Sequence, residues 1–176
     1  MANKERRNEK LLVLLFVVLI AALVVAFFFL MWNPPSGGHS KGMVRVYFIR
    51  QERLEPVERK IQEGETKGKA ALRELLKGPS EAEKRNGFFS HIPAGTKAKA
   101  VSIERGIVFI NFSKELGQYG GGAEKVRSMI AQIVYTLTDI PGVKKARILV
   151  EGESDVVLGG EGYVIDRPLM RRDVKL

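Results

Sequence analysis

Cysteine is absent from the 176 residues. That excludes disulfides, thiolate metal sites, a cysteine nucleophile and a lipid-bearing cysteine within this chain. It does not conflict with an oxidising exterior, because a domain of this size folds without staples. Histidine is scarce: His39 and His91 are the two present, and neither has a second histidine at metal-ligand spacing. His91 reads as a loop side chain ahead of a turn. The Lys-Ser/Thr of a phosphate loop does not follow Gly120-Gly121-Gly122. That run therefore reads as a loop opening a helix, with anion binding at the helix N-terminus as its alternative. Ser102, Ser113, Ser128 and Ser154 lack a Gly-x-Ser-x-Gly context, which argues against an elbow nucleophile. A glycan hydrolase needs two facing carboxylates. The scattered acids Glu115, Asp139, Glu151, Glu153, Asp155, Glu161 and Asp166 read as surface charge. No catalytic, cofactor-binding or metal-ligating residue is assigned, and no cofactor is expected.

What the chain does have is positive charge and one long apolar run. The net charge is +9, and the first ten residues hold four basic and two acidic side chains, which leaves +7 on the rest. Such a balance suits an anionic bilayer surface or cell-wall polymer. Nucleic acid is not expected, because the basic residues are scattered and no aromatic-basic motif for stacking bases accompanies them. Arg167, Arg171, Arg172 and Lys175 cluster near the C-terminus. They read as a solvated tail, with contact to anionic lipid or wall polymer as the alternative.

Leu11 to Trp32 carries no charge. At about 1.5 Å per residue it spans roughly 33 Å, the thickness of a bilayer core. A backbone in lipid must satisfy its own polar groups, so the run is predicted to be a transmembrane helix, with Trp32 at the interface. The bulky end Phe27-Phe28-Phe29-Leu30-Met31-Trp32 is unlike the small-residue end of a cleaved signal peptide. Lys4, Arg6, Arg7 and Lys10 precede the run and predict a cytoplasmic N-terminus, with the C-terminal domain outside. The expected organisation is a cytoplasmic tail 1–10, an anchor 11–32, a flexible linker 33–42 and an extracytoplasmic domain 43–176. Asn33–Gly42 holds two Pro, three Gly and two Ser, and ten such residues reach roughly 17 Å. The domain is therefore expected to stay near the membrane.

Within the domain, Val44, Val46 and Phe48 alternate with Arg45, Tyr47 and Ile49, which predicts a one-sided strand. Leu54–Ile61 is weaker, and Pro56 places it at an edge. Ala71, Leu72, Leu75 and Leu76 form a helical stripe that stops at Gly78-Pro79. Ser80 with Glu83 resembles a capping box. Pro93-Ala94-Gly95 fits a turn with proline in second place. Lys97–Ile103 and Ile107–Phe112 form a hairpin around Glu104-Arg105-Gly106, and the second strand is apolar on both faces, hence central. Val126, Met129, Ile130, Ile133, Val134 and Leu137 mark the clearest helix, ended by Pro141-Gly142. Ala146, Ile148 and Val150 predict another strand, and short strands are expected around Val156–Leu158 and Tyr163–Ile165. The order predicts an α+β fold: a two-layer domain with a mostly antiparallel sheet and two main helices on one face, behind the single transmembrane helix.

Several of these segments resemble motifs of the GerMN domain family, the sporulation and spore germination family. Leu75-Leu76-Lys77-Gly78-Pro79 resembles its "LL-x-GP" helix end, and Ile92-Pro93-Ala94-Gly95-Thr96 its "IPxGT" turn. Gly106–Ser113 matches the following strand, Gln132–Thr138 the "QIVYTLT" helix, and Gly142-Val143 with Ile148–Gly152 the late strand. The matches run in order over roughly residues 43–172. The family's members are typically exported and tethered, often by lipid, and this chain departs in using an apolar helix. The resemblance implies a role in spore formation or germination and offers no catalytic set to carry over. Its matching residues look structural. The expectation is a non-enzymatic, membrane-anchored extracytoplasmic module that assembles or stabilises a membrane or envelope protein complex, with homo-oligomers compatible. The alternative is binding or hydrolysis of cell-wall glycan, and a third reading is a vegetative partner of a sensor or transporter.

Overall fold

In the computed structural model the chain divides into two units, Met1–His39 and Ser40–Leu176. The structure describes residues 42–118, 122–158 and 163–176, together with Leu15, Phe16, Val18, Leu19, Ile20 and Val24. Those six positions of the first unit are helical and exposed. The tail 1–10, most of the predicted anchor Leu11–Trp32 and the linker up to residue 41 lie outside the described residues. Among the described residues no helix is long and apolar enough to cross a membrane.

The second unit begins with a hairpin of β1 (Met43–Arg50) and β2 (Arg53–Lys60), paired antiparallel from Met43↔Lys60 to Arg50↔Arg53. Its turn, Gln51-Glu52, has φ values of 48° and 62°. This is a two-residue hairpin turn in the left-handed region, made without the glycine that usually announces one. Pro56 lies opposite Tyr47 on β2, which among the described residues pairs only with β1, so the expected edge placement holds. β1 departs from the expected one-sidedness: Val44, Val46 and Phe48 are buried, but so are Tyr47 and Ile49. Tyr47 is covered by an aromatic and charged cluster described below. Ile49 is bridged to Phe89, with N–H···O bonds of 3.0 and 2.9 Å in the two directions.

Helix α1 (Lys67–Lys77) starts at Thr66, whose side chain accepts from the Lys69 N–H, and ends at Gly78 with φ 81°. A left-handed C-terminal residue favours glycine. Helix α2 (Glu81–Arg85) has the full Ser80/Glu83 capping box. The turn at Pro93 is displaced by one residue from expectation. Thr96 N–H and Oγ1 both donate to the Pro93 carbonyl, at 3.2 and 2.8 Å, so proline is first in the turn and Gly95 (φ 84°) third.

β3 (Ala98–Glu104) and β4 (Ile107–Phe112) form the expected hairpin. Arg105 and Gly106 both have positive φ, and a Cβ on Gly106 would sit 3.1 Å from the Gly142 carbonyl oxygen. α3 (Ala123–Leu137) then leads to β5 (Lys145–Val150), which pairs parallel to β4 from Ile107↔Lys145 to Phe112↔Val150. A helix of this length returns the chain to the start of β4, and that is what a parallel neighbour requires. β4 is therefore the middle strand of β3-β4-β5, as its apolar run predicts. β6 (Val156–Leu158) and β7 (Tyr163–Ile165) pair antiparallel.

The mixed α+β character stands, and antiparallel pairing dominates, but the expectation of one sheet does not. The described strands form three separate sheets, and one pairing is parallel. α1 and α3 pack on β1 and on each other, and α3 also meets β5. All six residues of the predicted α3 stripe are buried and belong to one core with Phe48, Leu75, Phe112 and Ile148. Burial of such side chains, at about 1.5–3 kcal/mol each, is the main force holding the elements together.

Candidate functional site

Two groups of buried polar side chains lie along α3, and an open cleft lies near its start. At its C-terminal end, Asp139 is almost fully buried. It accepts from Arg45 (Nε–Oδ2 2.8 Å, Nη2–Oδ1 3.2 Å), from the Tyr47 hydroxyl (3.1 Å) and from Arg171 Nη2 (2.9 Å). The Arg171 guanidinium also donates to Thr138 Oγ1 (2.9 Å) and the Tyr135 carbonyl (3.0 Å). It lies 5.3 and 5.0 Å from the ring centres of Tyr47 and Tyr135. Burial, followed by the Asp139 charge, pushes the Tyr47 hydroxyl above its usual range, and the hydrogen bond to Asp139 raises Arg45 further. Both shifts keep the cluster in the state that pairs it. It pins the C-terminal segment to α3 and β1.

One turn and a half back, Gln132 is fully buried. Its Oε1 accepts from the His91 N–H (2.9 Å), and its Nε2 donates to Ser90 Oγ (3.2 Å) and the Tyr47 carbonyl (3.4 Å). Thr136, one turn on, accepts from the Tyr47 N–H at 3.0 Å. The polar residues of the Gln132–Thr138 segment thus tie α3 to β1 and to the segment at His91.

Towards the N-terminal end of α3 lies an open cleft of about 430 Å³. Ile49, Phe89 and Leu176 contribute apolar lining, Lys125, Arg127 and Lys175 basic groups, and Glu52 and Glu124 acidic ones. His91 lines it with a buried Nδ1 that has no hydrogen-bond partner among the described residues. Burial, reinforced by Lys125, holds the imidazole below the ordinary value of 6.5, so it is neutral at pH 7. Phe89 tilts against it at 5.1 Å. The cleft offers an apolar surface, a neutral imidazole, and charged side chains of both signs. That is the chemistry of a site for a polar group carried on an apolar or sugar-like body.

The other residues weighed from the sequence are placed as follows. His39, Gly120, Gly121 and Glu161 lie outside the described residues. Gly122 caps α3 without a side-chain hydrogen bond. Glu151 pairs with Lys99 and accepts from the Lys114 N–H at 2.7 Å, and Asp155 stands 3.7 Å from Arg147. Of the carboxylates weighed from the sequence, Glu115 and Glu151 are held below their usual range by hydrogen bonds, as is Asp173. A glycosidase acid needs the opposite shift. Ser113 accepts from the Lys97 N–H, and Ser128 donates to the Glu124 carbonyl. No group of three metal-ligating side chains occurs among the described residues. The C-terminal basic cluster is divided: Arg171 is committed to Asp139, Arg167 to Asp173 (3.2 Å), and Lys175 lines the cleft.

The segment holding α1, the Pro93–Thr96 turn, β4 and α3 falls within residues 45–156, which match the Germane family, described as sporulation and spore germination. The chain belongs to this family. It is 29% identical over 138 residues to the spore germination protein GerM of Bacillus subtilis strain 168, covering 73% of the present chain. The chain spans 36% of the length of that relative. A protein from Clostridium perfringens described as a lipoprotein has a similar structure, with a TM-score of 0.55 at 26% identity over 80% of this chain and 97% of its own. The tandem GerMN domains of the B. subtilis sporulation protein GerM match in fold with a TM-score of 0.59 at 24% identity, over 81% of this chain and 51% of theirs. The GerMN fold is therefore shared.

Proposed function

We propose that this GerMN-type protein is a non-enzymatic module, held outside the cytoplasmic membrane by Leu11–Trp32, that assembles or stabilises an envelope protein complex in sporulation or germination. The observation that supports it is the family match over residues 45–156, on a unit that follows an uncharged apolar run of bilayer length. Polar side chains at Asp139 and Gln132 are spent on internal pairing, which suits a rigid part in an assembly.

Deleting the gene and counting heat-resistant spores against the parent, with germination scored on the survivors, tests the role. A sharp fall in either count is expected, and normal counts remove it. Topology is tested in the cysteine-free chain. Lys175→Cys is expected to react with a membrane-impermeant maleimide on intact cells and Lys4→Cys only after lysis; the reverse pattern overturns the orientation. The exposed Lys125, Arg127 and Lys175 at the cleft favour a second reading, binding of anionic cell-wall polymer. Purified wall is then expected to retain the protein and to lose it on Lys125→Glu with Arg127→Glu. Equal retention of the variant removes the cleft as the binding site.

A further inference from the structure

β3 and β4 belong to one hairpin but differ in surroundings. β4 alternates half-buried and buried residues, while β3 is exposed at every position but Val101. β3 pairs with β4 on one side, and the strand order leaves its other side as a sheet edge. In a two-residue hairpin the closing pair exchanges both of its hydrogen bonds. With Glu104↔Ile107 closing this one, the N–H and C=O groups of Val101 and Ile103 point to the open edge. No backbone partner for them occurs there among the described residues.

A groove of about 640 Å³ runs between this strand and α1. Leu72, Leu76 and Val101 give it an apolar floor, and Lys69, Lys97 and Lys99 line its walls. Lys69 and Lys97 make no ion pair among the described residues, and Glu65 in the groove is already held by Arg73 (2.9 Å). The lysines and the register shift between Ala98 and Ala100 are features that guard an edge against indiscriminate pairing. They leave the groove open to a strand of opposite charge.

We propose that this edge and groove dock an extended, acidic segment of a partner protein by strand addition. Backbone bonds to Val101 and Ile103 supply affinity, alternate apolar side chains enter the floor, and acidic ones meet the lysines. The open backbone edge favours a polypeptide over a wall polyanion, which has no N–H and C=O ladder to offer. The proposal rests on the assembly reading for the nature of the occupant and on geometry for the place.

The test uses the full chain in mild detergent, panned against a displayed library of random decapeptides. Enriched peptides are expected to alternate acidic and apolar residues. Bound peptide is expected to slow amide exchange at Val101 and Ile103 at least tenfold. N-methylating alternate peptide residues is expected to weaken binding at least tenfold in the register that faces the edge. Lys69→Glu with Lys97→Glu is expected to weaken it at least tenfold with the melting temperature nearly unchanged. No enrichment, enrichment without acidic bias, unaffected exchange at the two amides, or equal competition by inorganic polyphosphate each overturns the proposal. Exchange at these amides that slows with protein concentration alone assigns the edge to a second copy of the chain and also overturns it. A sporulation defect on gene deletion without any selected peptide leaves the assembly role in place and removes this face from it.

Discussion

The two ends of α3 carry similar side chains and use them differently. At the C-terminal end, two arginines, two tyrosines and Asp139 satisfy one another. At the other end, Lys125, Arg127 and Lys175 rim an open cleft, and His91 Nδ1 is unpaired among the described residues. The difference is one of burial. A carboxylate nearly out of water persists as a charge only with donors around it, whereas exposed lysines are already satisfied by solvent. Charge at the first end holds the fold, and charge at the second faces solvent.

The largest expected effect breaks the first end. Asp139→Ala leaves Arg45 and Arg171 facing each other without their carboxylate and is expected to cost about 3 kcal/mol of unfolding free energy in a urea titration. Lys125→Ala is expected to stay within about 0.5 kcal/mol. Equal costs would erase the contrast. Gln132→Ala removes three hydrogen bonds between the ends and is expected to cost about 2 kcal/mol, read in the same titration.

A third charged cluster sharpens the comparison through acid. Arg59 grips Glu83 at 2.8 and 2.6 Å and also meets Glu74 at 3.2 Å, joining β2 to α1 and α2. Arg59, followed by the Ser80 N–H, pulls the Glu83 carboxyl from 4.5 down to about 2. A carboxylate with a lowered folded pKa contributes fully above its unfolded value. That contribution is lost as pH falls from 4.5 towards 2. Glu83→Gln is expected to remove about 1 kcal/mol, after allowance for solvent screening, and to flatten the thermal-melt profile over that window.

The smallest effect is at His91. Its folded pKa is depressed, so the unfolded chain binds the proton more readily. Stability is therefore full above pH 6.5 and declines as pH falls below it, until the folded pKa is reached. His91→Gln is expected to reduce the melting-temperature difference between pH 7 and pH 5. An unchanged difference would show that the cleft leaves the imidazole fully solvated.

The helices were the most legible part of the fold. Val126 through Leu137 repeat at three and four residues and are buried accordingly, because helical period and amphipathic burial share one cause. The first hairpin turn was not legible, since Gln51-Glu52 lacks any glycine or asparagine. Nor was the parallel pairing of β4 with β5, which depends on where α3 delivers the chain. The cleft was missed because its wall comes from β1, the segment at His91, the start of α3 and the C-terminal segment. The one signal available was His91, an isolated loop histidine just before the proline turn.

The sequence by itself determined the periodic elements, the capped and glycine-ended helices, the central place of Ile107–Phe112 and the family, because each rests on neighbouring residues or on ordered motifs. Tertiary structure alone decided which charges are spent and which are free. Arg171 and Arg172 adjoin in one basic run, yet Arg171 closes on Asp139, thirty-two residues away, and Arg172 stays exposed. Ionic partners are fixed by where the packed backbone brings side chains together, and a linear charge pattern does not encode that distance.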